Sequence, residues 1–569
     1  MRVPKRSIGL LLALGWLPIV CGCAQDGMGP RDAAYDLVIT NARIIDGTGN
    51  PWFRGDVGIR GDRIASVGDL KGKRATRKID AHQRVLAPGF IDMHSHASWL
   101  VFADPRSASA VTQGITLVVE GEGQSVAPVS DYYLKASANS FKEMGVTPDW
   151  HTLGEFFERL EANPAAVNFA TYVGTSTVRE LTVGIGNRRA SEAELREMER
   201  IVAEAMEDGA LGVYSALMYV PDVFNSTEEL VAMARVAARY GGAYQTHQRS
   251  EGNALLESLN EAFEIGRRAG IRVNLTHLKA AYVQNWGKMP MIVDAIAAAR
   301  REGIDVAADV YPYRWAWAGL PALMPPWARE GEVAEVRERL RDPATRERIK
   351  REMATPTDQW DNDYVGAGGP DGLIILWVED ASLKHLEGML LSDISAERGE
   401  DPLDVILDII LTGSADFISN ITDETDMKLA LQQPWVSFGT DGGLAAIDGP
   451  LSVALTHPRT YGSFPKILGR YVRDQNLMPL EEAVRKATSL PAQRLGIKDR
   501  GLVREGLYAD LVIFDPETII DRATYQKPHQ YSVGIEYVIV NGQVVLDRGR
   551  FTNARPGRVI RGPGYVAAP

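Results

Sequence analysis

Ala87-Pro88-Gly89-Phe90-Ile91-Asp92-Met93-His94-Ser95-His96 is the stretch that decides how this chain folds. A Pro-Gly turn feeds a short apolar run that ends in two imidazoles, the pattern of a buried strand entered by a turn. Side chains two apart on a strand point the same way, so His94 and His96 can share one metal ion or one substrate group. An HxH pair alone is a weak signal. Its weight depends on where the other histidines fall.

Outward from this stretch, short apolar strands alternate with helical patterns. Strand candidates are residues 89–93, 115–119, 167–173, 211–217, 243–247, 272–277, 306–311 and 435–440. Helix-like segments lie between several of them, such as 191–208 and 226–240, the second opening on the capping-box pattern Ser226-Thr227-Glu228-Glu229. Eight strands alternating with helices predict an α/β fold, a (β/α)8 TIM-like barrel over residues 87–490 whose reactive residues sit at strand C-terminal ends. Residues from about 320 to 420 exceed one crossover helix and read as an insertion covering the barrel mouth, with Pro325-Pro326 and Gly366 to Gly372 as its pliable parts.

Both ends of the chain are rich in β-branched runs broken by turn residues. Residues 35–86 and 491–569 read as hairpins of one small β-sandwich domain built from both termini, with Asn541-Gly542 a strong hairpin turn. Neither end alone could bury a face.

Of 569 residues, 45% are hydrophobic and the net charge is −12. An acidic chain with no basic cluster after its leader excludes nucleic acid as a partner. Lys5 and Arg6 precede an apolar run from Ile8 to Val20, too short to span a bilayer comfortably, so residues 1–23 read as a signal peptide. It ends Val20-Cys21-Gly22-Cys23-Ala24, similar to a lipobox with Cys23 as the lipidated residue, and residues 24–34 form a polar tether. The expectation is an exported, periplasmic or cell-envelope lipoprotein that meets the membrane only through its lipidated N-terminus. Both cysteines lie in the leader, so a metal site has to use His and carboxylate ligands.

Four strand ends carry such ligands: His94 and His96, then His247, His277 and Asp441. Two divalent ions held together need a bridging anion. The fourth strand has no lysine, so Glu122, between Gly121 and Gly123 after the second strand, is the better bridge and Glu120 the alternative. A metal there acidifies water and polarises an amide carbonyl. Asp441 can then take the water's proton and pass it to the leaving amine. His82, His151, His385, His457 and His529 stand in turn, helix or loop contexts that suit structural roles.

From about Tyr35 onward the chain resembles the N-acyl-D-amino-acid deacylase (D-aminoacylase) group of the amidohydrolase superfamily. The stretches that carry the resemblance are APGFIDMHSHA, DGALGVYSALMYVP (208–221), ARYGGAYQTHQRSEG (238–252), THLKAAYVQNWGKMP (276–290), ADVYPY (308–313) and FGTDGG (438–443). The resemblance implies one metal position among His94, His96 and Asp441, a second at His247 and His277, and Zn2+ as the cofactor, one or two ions per chain. It further implies that Lys279, Tyr219 and Arg459 hold the substrate's carboxylate. Two departures stand out. Gly121-Glu122-Gly123 occupies the place of the group's Gly-Asn-Cys-Gly ligand, and Gly174-Thr175-Ser176-Thr177-Val178-Arg179 lacks the histidine found after the third strand while keeping Arg179. The expected reaction is hydrolysis of the amide bond of an N-acyl-D-amino acid, or of a dipeptide with a C-terminal D-residue. A cyclic-amide or hydantoin hydrolase and a non-catalytic ligand-binding lipoprotein are the alternatives.

Overall fold

The computed structural model describes residues 35–566. The leader and tether read at 1–34, Cys23 included, lie outside the described residues. The first strands are β1 (Tyr35–Ile44), β2 (Phe53–Arg60) and β3 (Arg63–Gly68), an antiparallel meander. They are followed by β4 (Ala75–Asp80) and β5 (Val85–Pro88), which both run parallel to β1 instead of forming a further hairpin. The reason is length. With ten residues, β1 offers one long free edge that two short strands share, β4 on residues 35–40 and β5 on 43–44, separated by the left-handed residues His82 and Gln83.

The next strands are β6 (Phe90–Asp92), β7 (Ile115–Glu120), β8 (Asn168–Thr171), β9 (Val173–Gly174), β10 (Gly212–Ala216), β11 (Ala243–His247), β12 (Arg272–Leu275) and β13 (Val306–Val310). Three more, β14 (Trp315–Gly319), β15 (Leu373–Val378) and β16 (Ala415–Asn420), precede β17 (Val436–Phe438). Strands β6-β7-β8 form one parallel ladder and β9-β10-β11-β12-β13-β17 another. β8 and β9 are one strand interrupted at Tyr172, and Leu211 N donates to Thr171 O at 2.8 Å across that break. On the other side Met93 N donates to Phe438 O at 3.3 Å, and Thr440 N and Asp441 N both donate to His94 O. Counted this way, eight parallel strands run in a circuit, and every residue of β7, β10, β11 and β13 is buried, as a sheet covered on both faces requires.

Helices of the outer ring start where the sequence signals them. Ser191 and Ser226 each accept from the backbone N–H three residues on, and Glu194 and Glu229 reach back to the cap N–H, an arrangement whose loss costs about 1 kcal/mol. The Glu192–Asp208 helix stops at Gly209, left-handed at φ 117°.

The insertion begins earlier than Leu320, at β14. It is an antiparallel sheet in the order β14-β16-β15 with five short α-helices and its own core, including Leu323, Ile349, Leu373, Ile406 and Phe417. Met218 and Tyr282 from the barrel loops pack into that core, which seats the insertion on the barrel mouth.

The chain then returns to the first sheet with β18 (Leu511–Phe514), β19 (Ile535–Val540), β20 (Gln543–Asp547) and β21 (Arg550–Phe551). Nine strands from both termini form one continuous path, β21-β20-β19-β18-β5-β1-β2-β3 with β4 on β1. The β19–β20 turn is Asn541-Gly542, both at positive φ, the primed geometry that matches strand twist. The sheet wraps Ile39, Ile59, Leu86, Leu511 and Ile539.

Candidate metal centre

The loop ends of β6, β7, β11, β12 and β17 bring six side chains to one point under the insertion. Among the described residues two donor sets form, His94, His96, Glu122 and Asp441, and Glu122, His247 and His277, with the ligand atoms of each set within 4.8 Å of one another. In the first, Glu122 Oε2 is 2.7 Å from His94 Nε2 and 3.2 Å from His96 Nε2, and Asp441 Oδ1 is 3.0 and 3.4 Å from His96 and His94. In the second, Glu122 Oε1 is 2.8 Å from His247 Nδ1 and 3.7 Å from His277 Nε2, and those two nitrogens are 3.1 Å apart.

These spacings pass a simple test. A tetrahedral ion with bonds of about 2.0–2.1 Å separates its ligands by about 3.3 Å, and the observed separations scatter around that value. Each Glu122 oxygen faces a different set, so this carboxylate is common to both donor groups. Glu120 is turned away. Its side chain is buried and accepts from Thr171 Oγ1 at 2.5 Å, and burial pushes its carboxyl up to about 7. Of the two acids considered from sequence, Glu122 alone reaches both sets.

Charge in the cluster favours a cation. Burial works to raise the Glu122 carboxyl, but the His94 charge and the hydrogen bonds of His247 and His277 hold it well below the usual range. Asp441 is likewise opposed by burial and held ionised by Arg459 and His94. The carboxylates in turn pull the buried His94 upward and His96 to about 9. The electrostatics that favours positive imidazoles also favours a divalent cation between them. Two of the candidate ligands, His277 and Asp441, have left-handed backbones at φ 34° and 49°, a strained geometry for residues with a Cβ that the surrounding structure has to enforce.

Three buried acids supply that enforcement, and none was picked out from sequence. Asp92 accepts from Thr440 N at 2.8 Å and Thr440 Oγ1 at 2.6 Å, holding the Asp441 loop against β6. Asp309, inside β13, accepts from His277 N at 2.9 Å. Glu251 Oε1 is 2.8 Å from His277 Nδ1, its Oε2 is 2.7 Å from Lys279 Nζ, and its backbone N–H donates to Asp361 of the insertion at 2.7 Å. Glu251 therefore orients a candidate ligand and neutralises a lysine with its side chain, and its backbone N–H ties it to the insertion. A ring whose second nitrogen meets a carboxylate is the usual support of a metal-binding histidine.

Lys279, Tyr219 and Arg459 all line the same cavity of about 490 Å3, together with Glu122, His247, His277 and Asp441. Their surroundings differ. Lys279 is paired with Glu251, and Arg459 Nη1 lies 2.7 Å from Asp441 Oδ2 with its guanidinium over Tyr311 and near Trp317. Tyr219 sets its ring edge-on to His247, centroids 5.4 Å apart. Arg179 is not in the cavity. It is fully buried and donates to Gly186 O, Arg188 O and Asn225 Oδ1. Thr175, where the group resemblance placed a histidine, donates to Asp222 at 2.6 Å. His457 accepts from Arg459 N at its Nδ1 and donates from Nε2 to Trp315 O, which fixes the start of the arginine's helix against β14.

Comparison with known proteins agrees with this geometry. Residues 77–546 match the amidohydrolase family designated Amidohydro_3. The N-acyl-D-glutamate deacylase of Alcaligenes xylosoxydans xylosoxydans is 35% identical over 94% of this chain and 98% of its own length, and the D-aminoacylase of the same organism 34% identical over 92% and 97%. The crystal structure of N-acyl-D-glutamate deacylase from Bordetella bronchiseptica, complexed with zinc and a phosphonate that mimics the tetrahedral intermediate, matches with a TM-score of 0.78 at 32% identity, covering 93% of this chain and 100% of that one. A TIM barrel with a small β domain, a cluster of His and carboxylate donors at its mouth and these matches over nearly the full length make the chain a member of the amidohydrolase family.

Proposed function

We propose that the protein is a zinc-dependent amidohydrolase that cleaves the amide bond of N-acyl-D-amino acids, or of dipeptides with a C-terminal D-residue, to a carboxylate and a free D-amino acid. The observation that carries this reading is the Glu122 carboxylate set between two donor groups, beside Lys279 and Arg459, in one cavity at the barrel mouth. Deacylases of N-acyl-D-amino acids are among its relatives over nearly the whole length, which disfavours the ring-opening alternative. Zinc held by such donors supplies Lewis acidity, polarising the scissile carbonyl and making water acidic enough to attack near neutral pH.

The remaining work falls to the chain's own residues. Lys279, Arg459 and the Tyr219 hydroxyl hold the substrate's α-carboxylate, with the arginine stacked on Tyr311 so that its direction is fixed. Arg459 keeps Asp441 ionised, so the aspartate is ready to accept the proton of the attacking water and return it to the amine nitrogen as the C–N bond breaks. Glu251 keeps His277 pointed inward. The insertion, through Trp317 and Ile421, walls the cavity against bulk water. We further propose that the leader exports the protein and that a lipid on Cys23 ties it to the cell envelope, a reading supported by the sequence of residues 1–34. Among the described residues no helix is long and apolar enough to cross a membrane.

The test is a turnover screen of N-acetyl-D-amino acids, their L-enantiomers and L-Xaa-D-Xaa dipeptides on leader-free protein, with metal content measured on the same sample. Hydrolysis confined to the D-series supports the reading. Turnover of hydantoin or dihydropyrimidine rings in its place would refute it.

A further inference from the structure

The charge of −12 is not spread evenly, and counting it by domain reverses the reading that no basic cluster follows the leader. The barrel with its insertion, residues 87–490, carries 37 Lys and Arg against 58 Asp and Glu, a net of −21. The β domain, residues 35–86 and 491–569, carries 21 against 14, a net of +7. Charge segregated in this way turns one part of a molecule towards an anionic partner and the other part away from it.

The fold concentrates the positive part further. Lys71-Gly72-Lys73-Arg74-Ala75-Thr76-Arg77-Lys78 puts five cations in eight residues, on the turn before β4 and on β4 itself. Arg77 is engaged by Asp547 at 2.7 Å and Lys73 is half-buried. Lys71, Arg74 and Lys78 are exposed, and among the described residues none of the three forms an ion pair. Arg77, Lys78, Arg548 and Arg550 line one surface groove, whose acids are Asp80 and Asp547. His82 joins that groove to a second cleft, where Arg43 and Arg54 stand beside Trp52, 42% exposed. An indole at the rim of a basic surface suits the headgroup level of a bilayer. The chain also enters the fold at this strip. Tyr35 N donates to Arg74 O at 3.1 Å and Tyr35 pairs with Ala75 in the β1–β4 ladder, so residues 24–34 join the β domain beside its exposed cations.

We propose that this face of the β domain docks on a bilayer surface rich in anionic phospholipid headgroups, as a second contact beside the proposed lipid on Cys23. One acyl chain alone holds a protein at a membrane only marginally, and a basic patch is a common second signal. Each Lys or Arg near an anionic surface strengthens binding about fivefold. The face acts by charge, so protein without the lipid should still bind.

The experiment sediments leader-free protein starting at Ala24, which cannot be lipidated, with vesicles of phosphatidylcholine alone or of phosphatidylcholine and phosphatidylglycerol in equal parts. Partition onto the anionic vesicles should be higher by about 100-fold, the worth of three exposed cations, although the net charge of the chain alone predicts repulsion. Raising salt from about 0.1 M to about 1 M, which cuts the screening length from about 10 Å to about 3 Å, should abolish the difference. Lys71→Gln/Arg74→Gln/Lys78→Gln should bring binding down to the level of the neutral vesicles. Lys135→Gln/Lys142→Gln/Arg196→Gln, the same charge change at exposed barrel positions, should leave it unchanged. Circular dichroism checks that both variants are folded. No preference for anionic vesicles, or equal losses from the two triple variants, would overturn the proposal. Tighter binding to duplex DNA than to the vesicles, weakened by the same three β-domain substitutions, would also overturn it by moving the face to nucleic acid. Incorporation of a labelled fatty acid into the full chain reads Cys23 separately, so failure of the docking face and failure of the lipid anchor are told apart.

Discussion

Replacing Glu251 by glutamine tests how the second donor set is held. The substitution keeps volume but not charge, and the carboxylate serves two donors on opposite oxygens, His277 Nδ1 at 2.8 Å and Lys279 Nζ at 2.7 Å. A carboxamide has one acceptor oxygen. If that oxygen faces His277, the NH2 confronts the Lys279 ammonium; if it faces Lys279, the imidazole meets a donor. All three side chains are nearly fully buried, so water cannot repair either arrangement. Breaking one partner of a buried ion pair costs about 3–5 kcal/mol, and loss of a carboxylate behind a metal-binding histidine typically lowers metal affinity about 10- to 100-fold. Glu251→Gln should therefore weaken zinc binding at the His247–His277 set by about that factor and leave the His94–His96 set unchanged. Zinc competition against a chromophoric chelator resolves the two affinities, and far-UV circular dichroism checks that the variant is folded. A folded variant that binds both ions within threefold of wild type would refute the argument.

Two further substitutions probe other parts of the account. Asp441→Asn should fold normally and lose about 10²- to 10⁴-fold in kcat on N-acetyl-D-amino acids, since the amide cannot carry the proton; unchanged turnover would remove Asp441 from proton transfer. Phe417→Ala, at a fully buried position in the insertion's own core, should destabilise that unit by about 3–5 kcal/mol in denaturant melts. A cost below about 1 kcal/mol would mean that the insertion is not packed around this ring.

What the chain reveals before folding is mostly periodic or local. Period two paired His94 with His96, which do share one donor set although β6 ends at Asp92, Ser226 and Glu229 marked a helix start that the backbone honours, and Asn541-Gly542 sits at a hairpin turn. The parallel pairing of β4 and β5 with β1 left no local trace, because it depends on a free edge supplied by a strand some forty residues earlier. Tyr172 breaks the third barrel strand although residues 167–173 read as one strand. The start of the insertion at Trp315 was hidden because WAWAG follows β13 directly, with no crossover helix between them to mark a boundary. Within the site, side chains at strand ends could be read by counting strands. Asp92, Asp309 and Glu251 could not, since each acts through a partner distant in sequence: Thr440, His277 and Asp361 respectively. The one available signal for Glu251 was its spacing, four residues after His247, as Lys279 follows His277 by two. Arg179, kept from the group's motif after the third strand, spends its guanidinium on backbone carbonyls and Asn225.

The central claim is that Glu122 bridges two metal positions, and zinc stoichiometry tests it most directly. Wild-type protein and Glu122→Gln would be loaded with zinc, dialysed against metal-free buffer and analysed for bound metal per chain. The account predicts two zinc ions in the wild type and at most one in the variant, because a neutral amide can neither offset the repulsion of two cations nor present an anionic oxygen to each. Two ions retained in Glu122→Gln, or a wild type that holds none, would contradict it.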